Sequence, residues 1–170
     1  MLSMGEHIGS IKVMIVQGKK LAIRDFKSSD PYVVVKLGNQ TAKTKVINSC
    51  LNPVWNEEFC FSLTEPPGVL SLEVFDKDRF KADDKMGHAH LSLQPIASAA
   101  RLKQILHVSS GETILRKVVP DGDNCIANES SISSIDGDVV QSAWLRLREV
   151  ESGEIEVKIK LIDPSGSPSK

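Results

Sequence analysis

The stretch GSIKVMIVQGKKLAIRDFKSSDPYVVVKL, residues 9–37, decides the architecture. Ile11, Val13 and Ile15 alternate with Lys12, Met14 and Val16, the pattern of a strand with one face buried. Val33, Val35 and Leu37 repeat that alternation after an acidic turn, so the chain opens on strand, loop, strand. Gly38-Asn39 then supplies a two-residue hairpin turn into TAKTKVI. Further along, WNEEFCFSL alternates Trp55, Glu57, Phe59, Phe61 and Leu63, VLSLEVF alternates Leu70, Leu72 and Val74, and MGHAHLSL continues as a strand. The closing EIEVKIKLI sets Ile155, Val157, Ile159 and Leu161 against Glu154, Glu156, Lys158 and Lys160. Short strands at regular spacing predict an all-β sandwich or barrel. Pro95 followed by IASAARLKQI predicts a short helix with proline in its first turn. SSISSI and DVVQSAWLRL flank Asp136-Gly137 as another hairpin, and the stretch from His107 to about Gln141 is longer than an ordinary connection, which marks it as functional or mobile.

The 170 residues fit one domain, expected over residues 1–163, with an insertion at about 107–141 and a frayed tail at 164–170. Hydrophobic residues make up 41% and charged residues 25%, an ordinary globular balance. Twenty-one basic against 22 acidic side chains leave a net charge of -1, which argues against nucleic acid as a partner. Cys50, Cys60 and Cys125 lack the number for a full disulfide framework and the spacing for zinc. No signal-like start, membrane-span-length apolar run or lipidation box is read, so a soluble intracellular protein with peripheral membrane contact is expected.

Asp25 and Asp30, then Asp76, Asp78 and Asp84 in FDKDRFKADDKMG, form two acidic groups separated by several strands. Two unit charges ~4 Å apart repel by about 4 kcal/mol at an effective dielectric of ~20, so bringing the groups together calls for a counter-ion. Calcium fits, since it takes roughly six to eight oxygen ligands. Solvated acidic turns are the bland alternative, because Asp is common in turns. An EF-hand fails: numbered from Asp76, its turn glycine would fall on Lys81 and its bidentate glutamate on Gly87. Magnesium fits poorly, since it favours few carboxylates and several retained waters.

A first strand, SDPYV, a basic hairpin, NPVWNEEF and a D-x-D followed six residues on by another Asp closely resemble the C2 domain. The resemblance implies an eight-stranded antiparallel β-sandwich of type II topology, here with an inserted segment holding a short helix and an extra hairpin. It places Asp25 and Asp30 in the first calcium loop and Asp76, Asp78 and Asp84 in the third, with the carbonyls of Phe26 and Lys77 as extra ligands for two calcium ions. The first-loop spacing of five residues is often six in relatives. Asp83 competes with Asp84, although the six-residue step from Asp78 favours Asp84.

Phe26 and Lys27 in the first loop and Arg79, Phe80 and Lys81 in the third set apolar and cationic side chains beside the acidic rim. With calcium bound, such a rim attracts anionic phospholipid, and Phe26 and Phe80 enter the headgroup layer. The alternative for Phe80 is a ring folded onto the core. Lys36, Lys43 and Lys45 line adjacent strands, either as a basic concavity for lipid headgroups or as an ordinary solvated face. His88 and His90 share a strand face, but no nucleophile or metal-ligand set accompanies them, and a non-catalytic binding module is expected.

LAIRDFKSSDPYVVV, the insertion RKVVPDGDNCIANESS and WLRLREVESGEIEV resemble the plant C2-domain abscisic-acid-related family. That resemblance implies calcium-dependent recruitment of abscisic-acid receptors to the inner face of the plasma membrane, in the cytoplasm and with the nucleus as a further location. In related members it implies activation of an Obg-type GTPase. Arg116, Arg146 and Arg148 are the arginines available for that second role, and homo-oligomerisation stays open.

Overall fold

A computed structural model describes residues 6–107 and 110–162, so the tail expected at residues 164–170 lies outside the described part. The chain folds into an all-β sandwich of two antiparallel sheets. One sheet runs β4 (Val54–Glu65), β1 (Glu6–Lys19), β10 (Glu154–Ile162), β9 (Asp138–Arg146), β8 (Ser130–Ile135) and β7 (Glu112–Val118). The other runs β3 (Gln40–Lys43), β2 (Pro31–Leu37), β5 (Val69–Asp76) and β6 (Asp84–Ser92). First and last strands are neighbours: β10 lies between β1 and β9.

Each alternation read above buries the expected row. Ile11, Val13, Ile15, Val33, Val35, Leu70, Leu72, Val74, Ile155, Val157 and Ile159 close on one core. The cost of the one acidic residue in the β4 row, Glu57, is met locally: its carboxylate accepts the backbone N–H of Lys45 at 3.0 Å. Trp55 is buried and its indole N–H donates to the Lys45 carbonyl at 3.0 Å, which pins the hairpin end to the opposite sheet. Both two-residue turns form as expected, with Leu37 paired to Gln40 and Ile135 to Asp138.

The described residues contain ten strands, two more than the eight expected of the sandwich itself. β7 is the strand without a clear sequence signal. It pairs with β8 alone, at the sheet edge, and its ETILRKV leaves both Ile114 and Arg116 exposed, so no buried row marks it. TAKTKVI is strand only as far as Lys43. There Thr44 turns inward, its N–H reaching the Val33 carbonyl at 2.9 Å and its Oγ1 accepting the Val33 N–H at 2.9 Å.

The expected helix is α1 (Gln94–Leu106), with Pro95 in its first turn and Ile96, Ala97 and Ala99 buried. Its other face leaves Leu102, Ile105 and Leu106 exposed. No described helix is long and apolar enough to cross a membrane.

Candidate metal centre and its rim

Three connections meet at one end of the sandwich: residues 20–30 between β1 and β2, residues 77–83 between β5 and β6, and residues 147–153 between β9 and β10. Backbone bonds lock them together. Lys77 N–H donates to the Asp30 carbonyl at 3.0 Å, and His88 and Arg148 exchange N–H···O bonds of 3.2 and 2.7 Å. Gly87 allows this closeness: its φ is +96°, and a Cβ there would lie 2.5 Å from Val150 Cγ1. Arg24 adds a forked ion pair, with Nη1 and Nη2 donating to the two Glu151 oxygens at 2.9 and 3.1 Å. That contact spans 127 residues of sequence, and nothing local in either loop announces it.

Within this frame Asp25, Asp30 and Asp76 converge, each placing a carboxylate oxygen within 4.8 Å of the others. Asp25 sits in a tight turn in which it and Ser28 exchange backbone hydrogen bonds of 2.8 Å. Asp30 opens the approach to β2, and its Oδ1 accepts the Ser49 N–H at 2.7 Å. Asp76 ends β5 and is wholly buried: Oδ1 accepts the Asp30 N–H at 2.7 Å, while Oδ2 has no hydrogen-bond partner. An ionised oxygen buried without a donor is strongly disfavoured, and burial, with Asp25 and Asp30 adding repulsion, pushes the Asp76 carboxyl up to about 6. Hard oxygen donors, mutual repulsion and a buried orphan lone pair together suit an oxygen-seeking divalent cation such as calcium.

Asp78 and Asp84 lie outside that group of three. Asp84 pairs with Asp76 in the β5–β6 ladder, at the base of the loop. Asp78 Oδ1 accepts the N–H groups of Phe80 at 2.8 Å and Lys81 at 3.2 Å, which shapes the loop tip. Asp83, read only as a competitor of Asp84, has its own task. It accepts the Tyr32 hydroxyl and, at 2.8 Å, the Asp78 N–H, which lowers its own pKa, while burial and then this bond push the Tyr32 phenol up to about 12. Two adjacent aspartates look alike in sequence; only Tyr32, on another strand, separates their roles.

At the tips, Phe26 and Phe80 are almost fully exposed, at 104% and 95%, with Lys27, Arg79 and Lys81 beside them in the same two loops. Neither ring folds onto the core. On the outer face of the four-stranded sheet, Lys43 pairs with Val34 and so stands diagonal to Lys36, whose ammonium lies 3.6 Å from Glu73. Lys45 follows beyond the end of β3, and its backbone N–H and carbonyl serve Glu57 and Trp55. His88 is 2.7 Å from Glu149 and His90 3.5 Å from the Cys125 thiol, and neither joins a metal-binding group among the described residues.

A sandwich with a divided acidic rim at one end defines a class, and sequence comparison agrees with it: the C2 domain profile matches residues 9–108. The chain belongs to the C2 domain family, within the plant C2-domain ABA-related group. It is 72% identical to Protein C2-DOMAIN ABA-RELATED 11 of Arabidopsis thaliana, over 96% of this chain and 99% of that protein. It is 44% identical to GTPase activating protein 1 of Oryza sativa subsp. japonica, over 96% of this chain and 98% of that one. The fold is shared with the calcium-bound tandem C2 domains of Extended-Synaptotagmin 2, at a TM-score of 0.65 and 22% identity over 94% of this chain and 47% of that one. It is shared also with a C2 domain-containing protein from a putative elicitor-responsive gene, at a TM-score of 0.58 and 23% identity over 99% of both chains.

Proposed function

We propose that the protein is a calcium-switched adaptor that carries abscisic-acid receptors to anionic phospholipid on the inner face of the plasma membrane. The observation that carries this reading is the buried, unpartnered Asp76 Oδ2 beside Asp25 and Asp30, with two exposed phenylalanines in the adjoining loops. Asp25, Asp30, Asp76, Asp78 and Asp84, with the carbonyls of Phe26 and Lys77, hold two calcium ions in this reading. The same residues repel anionic lipid when unneutralised and attract it through the bound charge otherwise. Phe26 and Phe80 then enter the headgroup layer, Lys27, Arg79 and Lys81 meet phosphate, and Lys36, Lys43 and Lys45 add about 1 kcal/mol each near an anionic surface. Lys36 contributes least, since Glu73 already holds it. Calcium and lipid affinities are reciprocally coupled.

The receptor surface in this reading is the outer face of α1 with β7. Leu102, Ile105 and Leu106 are exposed there, rimmed by Arg101 and Arg116, and the name of the 72% identical relative supports the abscisic-acid connection. A second reading, activation of an Obg-type GTPase, is supported by the name of the rice relative. Of the three arginines considered for it, Arg146 and Arg148 donate to the carbonyls of Ile126, Asn124 and Asp123, and Arg116 donates to Ser98 Oγ. Arg116 is thus the one most readily released.

Sedimentation with phosphatidylserine vesicles tests the reading, with and without a chelator and with purified receptor added. Calcium-dependent co-sedimentation of protein and receptor is expected. Vesicle binding that persists in chelator refutes the switch, and receptor that stays in the supernatant refutes the adaptor. Turnover of the GTPase in lipid-free solution separates the second reading from the first.

A further inference from the structure

One basic side chain is built into the acidic rim, held at more points than a surface arginine needs. Arg24 directly precedes Asp25. Its backbone N–H donates to the buried Ser29 Oγ at 2.8 Å, and that hydroxyl donates in turn to the Ala22 carbonyl at 2.8 Å. Its guanidinium joins three segments of the chain. Nε donates to the Lys85 carbonyl at 3.3 Å, Nη1 to the Ile23 carbonyl at 3.1 Å and to Glu151 Oε2 at 2.9 Å, and Nη2 to Glu151 Oε1 at 3.1 Å. The arginine side chain is 24% exposed against 62% for the glutamate, so the arginine is the inner partner and the glutamate the outer one.

The Lys85 carbonyl adjoins Asp84, and Asp84 is the direct cross-strand partner of Asp76 in the β5–β6 ladder. Like charges set opposite one another across a ladder are destabilising. Both carboxylates attract the Arg24 guanidinium. Neighbouring lysines fill other places: Lys85 is paired with Phe75 and so lies on the opposite face from Asp84, while Lys77 and Lys43 act on Asp83. Glu151 answers Arg24 from the outer side, and the forked bond between them holds the Glu151 carboxyl down at about 2.

Resting on the calcium reading proposed above, we infer that Arg24 is a tethered counter-ion of the acidic rim, moderated by Glu151, and that the pair sets how tightly the rim takes calcium. In the empty rim the guanidinium offsets part of the repulsion between Asp76 and Asp84. When calcium enters, the same fixed charge opposes it, because two cations then share one set of carboxylates. Glu151 draws on the guanidinium from the other side and lessens both effects. The two residues therefore act on calcium with opposite signs. Loss of the arginine removes a competing cation and leaves the Glu151 carboxylate uncompensated nearby, while loss of the glutamate leaves the guanidinium wholly to the rim. A fork that did no more than staple the 20–30 and 147–153 connections together would act with one sign, since cutting either end loosens the same two loops.

The test is calorimetric titration of the full chain with calcium at pH 7, without lipid, on the wild type, Arg24→Met, Glu151→Gln and the double variant. Arg24→Met should tighten calcium binding about threefold or more, Glu151→Gln should weaken it by a similar factor, and the double variant should fall between them; added salt should narrow the spread. Glu151 is largely exposed, so Glu151→Gln should leave the fold intact, and its sign is readable even where Arg24→Met fails to fold. A second measurement needs no calcium: thermal unfolding in chelator at pH 7, with Asp84→Asn placed in two backgrounds. It should lower the midpoint of the wild type, where it deprives Arg24 of a partner, and raise that of Arg24→Met, where it relieves the repulsion with Asp76. Weaker calcium binding by Arg24→Met, wild-type affinity in Glu151→Gln, or equal effects of Asp84→Asn in the two backgrounds would each overturn the inference while leaving the calcium reading in place. A wild type that takes up no calcium would remove that reading, and the affinity role of Arg24 with it.

Discussion

At the loop end, Asp25 and Asp30 in the β1–β2 loop meet Asp76 at the end of β5, a strand paired on both sides, within 4.8 Å of one another, whereas the β7–β8 hairpin hangs from the edge of the six-stranded sheet, β7 having one neighbour. The first region concentrates like charge around the buried Asp76. The second exposes Ile114 on a strand with one neighbour, where Arg116 bonds Ser98 Oγ of α1. Crowded like charge suits the proposed switch, since a counter-ion relieves the cost of burying Asp76 beside Asp25 and Asp30. An edge with exposed apolar side chains makes a contact surface, where one hydrophobe more or less changes the fold little. Changes at the first region should therefore act on calcium and lipid, and changes at the second on partners alone.

The strongest challenge to that division is Asp76→Ala with Asp78→Ala. Sedimentation with phosphatidylserine vesicles in calcium should fall to the level seen in chelator, because the buried carboxylate and the loop-tip carboxylate, both ligands in the proposed reading, are removed together. Retained calcium-dependent binding would show that the rim is not the switch.

The second effect is on stability and carries a sign. Asp76 titrates at about 6 in the folded chain against an ordinary 3.8, so the folded state holds this proton to higher pH than the unfolded state does. The resulting stabilisation is complete below about pH 4 and is lost as pH rises to 6, by up to ~3 kcal/mol for a shift of about two units. Without calcium, the wild-type chain should lose stability over that window relative to Asp76→Asn, measured by urea unfolding at pH 4 and 7. Calcium at pH 7 should restore the wild type and not the variant. Parallel pH profiles for the two proteins would contradict a strained carboxylate at this position.

Legibility in sequence follows the same division. β1, β2, β5 and β10 announce themselves because one face of each is wholly inside, so period-two alternation is written into Ile11–Val13–Ile15 and Ile155–Val157–Ile159. The acidic groups are legible because their aspartates sit beside those strands. β7 is not, since an edge strand with exposed Ile114 has no inner row to display. Contacts between distant loops are invisible for another reason. Arg24 with Glu151, and Asp83 with Tyr32, depend on three-dimensional placement and leave no local spacing to read.

A third effect, smaller again, separates calcium binding from lipid binding within the rim. Phe26→Ser and Phe80→Ser expose no cavity, because both rings stand in solvent. Each should weaken vesicle binding about tenfold, equivalent to ~1.4 kcal/mol, through lost apolar burial in the headgroup layer. Calcium affinity in lipid-free calorimetry should stay within about twofold of the wild type. A parallel loss of calcium affinity would mean that the rings shape the site rather than the membrane contact.

The smallest expected effect on the fold tests the other region. In α1, beside the hairpin, Ile105→Ser and Leu106→Ser replace side chains that are 72% and 54% exposed, so thermal unfolding should move by no more than the equivalent of about 0.5 kcal/mol. Calcium-dependent vesicle binding should match the wild type, since both positions lie away from the acidic rim. Receptor co-sedimentation should nevertheless fall at least tenfold, because a partner that covers this patch loses two apolar contacts at its centre. If receptor is retained on the vesicles, the patch is not the partner surface, and the functional difference drawn between rim and hairpin fails while the structural one stands.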